Sequence, residues 1–229
     1  MTTAPLDAKY YEAAAPRSLG ERLTAAARDR IYADFLRCCA PGPETTILDI
    51  GVSDVVNDAA NVLERRYPYP HRLTAAGLGT AEAFRAAHPA VAYRQIGADC
   101  RLPFPDRSFG VATSNAVLEH VGSPANQRLM LAEMLRVART VFLTVPHRFF
   151  PVEHHTAIPL LHYADASFGL ACRSLGKAEW ADPRNLILMS RRRLAALVPP
   201  AETARIGFTG LPLGPFSSNL YLHIAQGQA

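Results

Sequence analysis

Residues 98–121 read ADCRLPFPDRSFGVATSNAVLEHV, and the fold turns on how this stretch is parsed. Its first part, Asp99 to Asp106, holds two prolines and three charged side chains, which excludes both a helix interior and a central strand. It reads as a loop. Phe109-Gly110-Val111-Ala112-Thr113-Ser114-Asn115 is then an apolar run ending in small polar residues, the pattern of a buried strand whose carboxyl end opens onto a site. Open parallel sheets bind ligands at that end of their strands, so the loop before this strand and the residues after it frame one crevice.

Upstream, Thr45 to Gly51 is a β-branched apolar run closed by Asp49 and Gly51, which predicts a central parallel strand turning into a loop. Residues 71–77 and 91–96 predict two more strands, 109–114 the fourth, and 140–146 a fifth. Helical spacing of apolar residues predicts helices over 19–39, 57–66, 80–88 and 127–137. Strands alternating with helices at this spacing imply right-handed crossovers and a doubly wound parallel sheet, hence the α/β class. A last helix over 190–197 has Ser190 as its cap, and residues 204–208 and 218–224 predict a terminal antiparallel hairpin. Gly110, inside the fourth strand, marks a bulge or a close approach.

At 229 residues with 49% hydrophobic and 19% charged side chains, the chain predicts one compact domain with little disorder. Residues 1–43 read as a lead-in and helix, and 44–229 as the main domain. The net charge of +4 is mild and Arg191-Arg192-Arg193 reads as a solvated face, so no nucleic-acid partner is expected. Cys38, Cys39, Cys100 and Cys172 lack CxxC spacing and read as reduced thiols. No stretch reaches the ~18 apolar residues of a membrane span, so no membrane partner is expected and the cytoplasm is the expected location. The oligomeric state, a homo-oligomer included, is left open.

Beyond Pro146 the alternation stops. Residues 147–185 are rich in aromatic and histidine side chains and read as an acceptor-site insertion or lid. His147, Glu153, His154, His155, His162 and Tyr163 cluster there. Glu153, His154 and His155 are consecutive and cannot all face one ion, so no metal is expected. One neutral histidine serving as a base, or histidines shaping a polar pocket, are the two other uses. The candidate catalytic residues are His154, His155 and, on a predicted helix after the fourth strand, His120.

The order Ile47-Leu48-Asp49-Ile50-Gly51, then Gly97 to Phe104, then Phe109 to Val121 resembles class I S-adenosylmethionine-dependent methyltransferases of the type 11-like group. It looks most like the branch with the ubiquinone/menaquinone-type C-methyltransferases. The resemblance implies a Rossmann-like seven-stranded sheet ordered 3-2-1-4-5-7-6, with S-adenosyl-L-methionine as cofactor and a small-molecule methyl acceptor as partner. It also implies that Asp49, Gly51 and Ser53 face the methionine end, Gly77 and Leu78 the ribose, Asp99 and Cys100 the adenine, and Asn115 and Ala116 the sulfonium. The chain departs from the family in two places. Gly51-Val52-Ser53-Asp54-Val55 keeps one glycine of G-x-G-x-G, and Ala75-Ala76-Gly77-Leu78 lacks the acid that usually holds the ribose hydroxyls. Asp54, Asp58 or Asn61 are the substitutes at hand. The alternative function is a methyltransferase-like domain that binds a partner without catalysis. A nicotinamide dehydrogenase is disfavoured, since G-x-G-x-x-G is absent.

Overall fold

A computed structural model describes residues 19–55 and 60–227. The expected lead-in over 1–18, and Asp58 with the start of the helix predicted over 57–66, lie outside the described residues. Helix α1 (Leu19–Cys39) precedes β1 (Ile47–Ile50), α2 (Val62–Arg66), β2 (Leu73–Gly77), α3 (Glu82–Ala87) and β3 (Ala92–Gln95). Then come β4 (Phe109–Asn115), α4 (Pro124–Val137), β5 (Ala138–Pro146), α5 (Asp165–Ser174), α6 (Arg191–Ala195), β6 (Ala204–Thr209) and β7 (Asn219–Ala225). The seven strands form one sheet in the order β3-β2-β1-β4-β5-β7-β6. β1 to β5 are parallel, and β7 runs antiparallel between β5 and β6. Among the described residues, no helix is long and apolar enough to cross a membrane.

The pleat of β1 sorts the two faces. Ile47 packs with Phe35, Leu73, Val111 and Phe142 under α1 to α3, whereas Leu48 and Ile50 pack with Leu131, Met134, Val141 and Leu222 under α4. Asp49 therefore points to the α1–α2 side. A smaller core of Ile158, Phe168, Cys172, Leu186 and Leu188 lies within the insertion. The four cysteines are free.

Two helix starts differ from the expectation for clear reasons. α4 begins at Pro124, three residues earlier than its apolar pattern suggested, because Ser123 caps it by accepting from Asn126 N, and proline suits the first turn. Ser190 caps α6 as expected, accepting from Arg193 N. His120 is not on a long helix. It ends a single 3-10 turn, Leu118–His120, ahead of α4. Gly110 makes a close approach: a Cβ there would stand 2.9 Å from Thr45 Cγ2, and Gly110 N and Val111 N both donate to Thr46 O, at 2.9 and 3.1 Å.

The loop at 101–106 is clamped by α4. Arg136 donates to the carbonyls of Leu102 and Phe104, both at 2.9 Å, and to Asp106 at 2.7 Å. Glu133 accepts from Leu102 N at 2.9 Å. These bonds fix an otherwise irregular segment at the carboxyl edge of the sheet.

Candidate active site

A cleft of about 300 Å³ lies over the carboxyl ends of β1 and β2 and the segment after β3. Gly51, Gly77, Leu78 and Cys100 line it, with apolar walls from Ile96, Leu102, Val121 and Met130. A second cavity of about 100 Å³ adjoins it at Gly51 and Val52. Asp49, Ser53, Asn115 and Ala116 line that cavity, which α1 covers with Tyr32 and Phe35. The sequence-predicted cofactor residues thus divide between two cavities that share Gly51 and Val52 in their walls. Asp99 is the exception: it lines neither, and its carboxylate accepts from Arg101 N at 3.2 Å.

Gly51 is required in that shared wall. Its φ is +90°, and an added Cβ would fall 2.2 Å from Val117 Cγ2. The loop after it holds its shape without the family's further glycines. Ser53 N donates to Asn61 Oδ1 at 3.1 Å, Asn61 Nδ2 donates back to Ser53 O at 2.8 Å, and Ser53 Oγ accepts from Val55 N. Asp54 is committed elsewhere, accepting from Phe84 N at 2.9 Å in the first turn of α3. Of the substitutes for the ribose acid, Asn61 is thus a loop holder and Asp54 a helix holder. At the end of β2, Tyr93 donates to Gly79 O at 2.6 Å and Gln95 donates to Leu78 O at 2.9 Å, fixing the backbone where that acid would stand.

Glu64, which the sequence reading passed over, projects from α2 toward Asp49. It is 4% exposed, and its carboxyl meets that of Asp49. Burial, reinforced by the Glu64 carboxyl, raises Asp49 well above the usual range, and burial raises Glu64 against the opposing hydrogen bond to Asp49. Asp49, which lines the smaller cavity, suits a cationic ligand, whose charge favours its ionised form.

The histidines split into two groups. His120 Nε2 and His155 Nε2 face each other at 3.1 Å, and Trp180 packs on both rings. His155 Nδ1 donates to Glu153 Oε1 at 2.8 Å, and His120 Nδ1 donates to Asn185 O at 2.7 Å. Burial works against ionising Glu153, yet the bonds from His155 and Thr156 outweigh it and hold its carboxyl at about 2. Burial, then His155, lowers His120 to about 4. Burial opposes protonation of His155 too, but Glu153 more than offsets it, so His155 stands above its ordinary value. His154 does not join them: it is exposed and packs edge-on against Phe150. Glu119, beside His120, was not foreseen either. It is 1% exposed, and burial pushes it up to about 7.

A parallel five-stranded sheet continued by an antiparallel pair, with a crevice at the strand ends after a D-x-G turn, defines a Rossmann-like class I methyltransferase fold. Residues 55–141, less than half of the chain, match the family described as methyltransferase domain. The ubiquinone/menaquinone-type branch is not singled out. The N-methyltransferase NodS of Bradyrhizobium japonicum, solved with S-adenosyl-L-homocysteine, is similar with a TM-score of 0.55 and 12% identity, over 88% of this chain and 87% of its own. Magnesium protoporphyrin IX methyltransferase of Synechocystis, also solved with S-adenosyl-L-homocysteine, gives 0.54 and 10%, over 94% and 90%. A Pyrococcus horikoshii protein gives 0.61 and 10%, over 96% and 95%. At these identities the likeness is one of fold. No curated protein matches the sequence.

Proposed function

We propose that the chain transfers a methyl group from S-adenosyl-L-methionine to a small-molecule acceptor. The observation that carries this reading is the pair of neighbouring cavities that share Gly51 in their walls: an apolar cleft sized for an adenosine, and beside it a smaller cavity lined by Asp49. The two parts match the two halves of the cofactor, one flat and largely apolar, the other bearing an ammonium and a sulfonium. When bound, the cofactor supplies an activated methyl group on that sulfonium.

In this reading Ile96, Leu102 and Met130 wall the adenine, Gly77 and Leu78 bound the ribose, and Asp49, Asn115 and Ala116 surround the methionine end. Asp99 contributes from the rim. Gly51 lets the backbone approach the ligand where a side chain would block it. Cys100 packs against the adenine side as a neutral thiol, its pKa raised by burial and by Asp99. Residues 147–185 wall the acceptor, and transfer asks chiefly that the acceptor be aligned in line with the methyl group and that water be kept out. His120 and His155 act on the acceptor side, whereas His154 makes no direct contact with their facing nitrogens and packs on Phe150. The altered glycine loop does not favour a non-catalytic partner role, because Asn61 restores its shape.

The experiment is a screen of candidate acceptors with S-adenosyl-L-methionine, read by product mass. An acceptor gaining a methyl group together with stoichiometric S-adenosyl-L-homocysteine is the expected outcome. Tight cofactor binding with no transfer to any O-, N- or C-nucleophile class would favour the partner role instead.

A further inference from the structure

We propose that Glu119, His120 and His155 bind one divalent first-row metal ion, zinc by preference. The ligand atoms of these three residues lie within 4.8 Å of one another. They come from two distant parts of the chain, the 3-10 turn after β4 and the insertion after β5.

Hydrogen bonding determines which atoms face inward. A backbone carbonyl only accepts, so Asn185 O requires the proton of His120 on Nδ1; the ionised Glu153 does the same for His155. In the neutral rings both Nε2 atoms then present lone pairs to each other at 3.1 Å, which repel unless a proton or a cation lies between. The rings are not aligned end to end as in a straight N–H···N bond, which would set their centroids about 5.4 Å apart at this N···N distance. The observed separation is 4.8 Å, with the rings perpendicular.

Glu119 supplies the third ligand. Both its oxygens are buried without a hydrogen-bond partner, and Oε1 lies 3.9 Å from His120 Nε2. Ligand atoms of a tetrahedral zinc stand ~3.3 Å apart, so a small side-chain rotation closes the set. An unpartnered buried carboxylate is costly unless a cation meets it. The outer bonds from Glu153 and Asn185 are of the kind that orient metal-bound imidazoles. Two imidazoles favour a transition ion over magnesium or calcium, and two histidines with one carboxylate is a ligand set that leaves the fourth position open. His120 also lines the larger cleft, so an acceptor oxygen has access to that position. This last use rests on the methyltransferase reading; binding of the ion does not.

The test uses the full chain, stripped with chelator and titrated with zinc by calorimetry and with cobalt(II) by visible absorption, in the absence of cofactor and acceptor. One equivalent should bind, with the absorption of four-coordinate cobalt. Glu119→Gln and His155→Ala should each weaken it at least ~10-fold, Glu153→Gln by ~10–100-fold through loss of orientation, and His154→Ala not at all. Thermal melts confirm that each variant folds, with His120→Gln replacing His155→Ala if that variant does not. Failure of both metals to bind at one equivalent, or binding that survives Glu119→Gln and the histidine substitution, would overturn the proposal. A metal-binding chain that ignores S-adenosyl-L-homocysteine would instead refute the methyltransferase reading alone.

Discussion

Gly51→Ala places a methyl group where the backbone turns at φ +90° and where it would meet Val117 Cγ2 at 2.2 Å. Two costs follow. A left-handed backbone costs a residue with a Cβ about 1–2 kcal/mol, and the overpacking adds about 1–3 kcal/mol, for a total of about 2–5 kcal/mol. Val117→Ala removes the colliding methyl, so in that background Gly51→Ala should cost only the backbone part, about 1–2 kcal/mol. Urea unfolding of the wild type, both single variants and the double variant closes the cycle. Because Gly51 and Val117 both stand at the larger cleft, affinity for S-adenosyl-L-homocysteine should also fall in Gly51→Ala and partly recover in the double variant. An equal cost in both backgrounds would refute the claim that the turn after β4 presses on the glycine loop.

Two further substitutions probe the neighbouring elements. Burial raises Glu64 above the ordinary carboxylate range, so its contribution to stability is full at acid pH and is lost as the pH rises through the raised folded value. Glu64→Gln should therefore flatten urea-derived stability against pH above the ordinary carboxylate range; identical slopes would show that Glu64 ionises freely. Arg136→Ala removes the clamp on the 101–106 loop and should cost about 1–3 kcal/mol, with hydrogen exchange rising at Leu102 and Phe104 and little changed in β7. Unchanged exchange in the loop would show that the prolines alone hold it.

The sheet was legible because its strands are short apolar runs bounded by glycine, proline and acids, and because a pleat buried on both faces leaves few alternatives. The fourth strand, expected over 109–114, runs one residue further, Phe109–Asn115. Capping moved α4: Ser123 and Pro124 carry no apolar periodicity, yet they set where it starts. Most of the residues expected to touch a cofactor line the two cavities because they sit at strand ends, whereas Asp99 lines neither and accepts from Arg101 N. What could not be read was contact across the chain. His120 and His155 meet only because the insertion folds back over the turn after β4, and nothing in the local pattern of either carries that information. Glu119 and Glu64 had a weaker signal, an acid among apolar neighbours at positions that the fold buries, and that signal acquires meaning only when a partner from another element is seen. The expectation against a metal was drawn from three consecutive residues, Glu153 to His155, whereas the convergent set takes one member from there and two from the turn.

The central claim is that the cleft and the smaller cavity, which share Gly51 in their walls, hold the two halves of S-adenosyl-L-methionine. Isothermal titration with S-adenosyl-L-homocysteine tests it most directly. One molecule should bind per chain with a Kd on the order of micromolar, and Asp49→Asn should weaken it about tenfold or more while leaving the fold intact. No heat at millimolar ligand, from a chain whose melting shows it to be folded, would contradict the account.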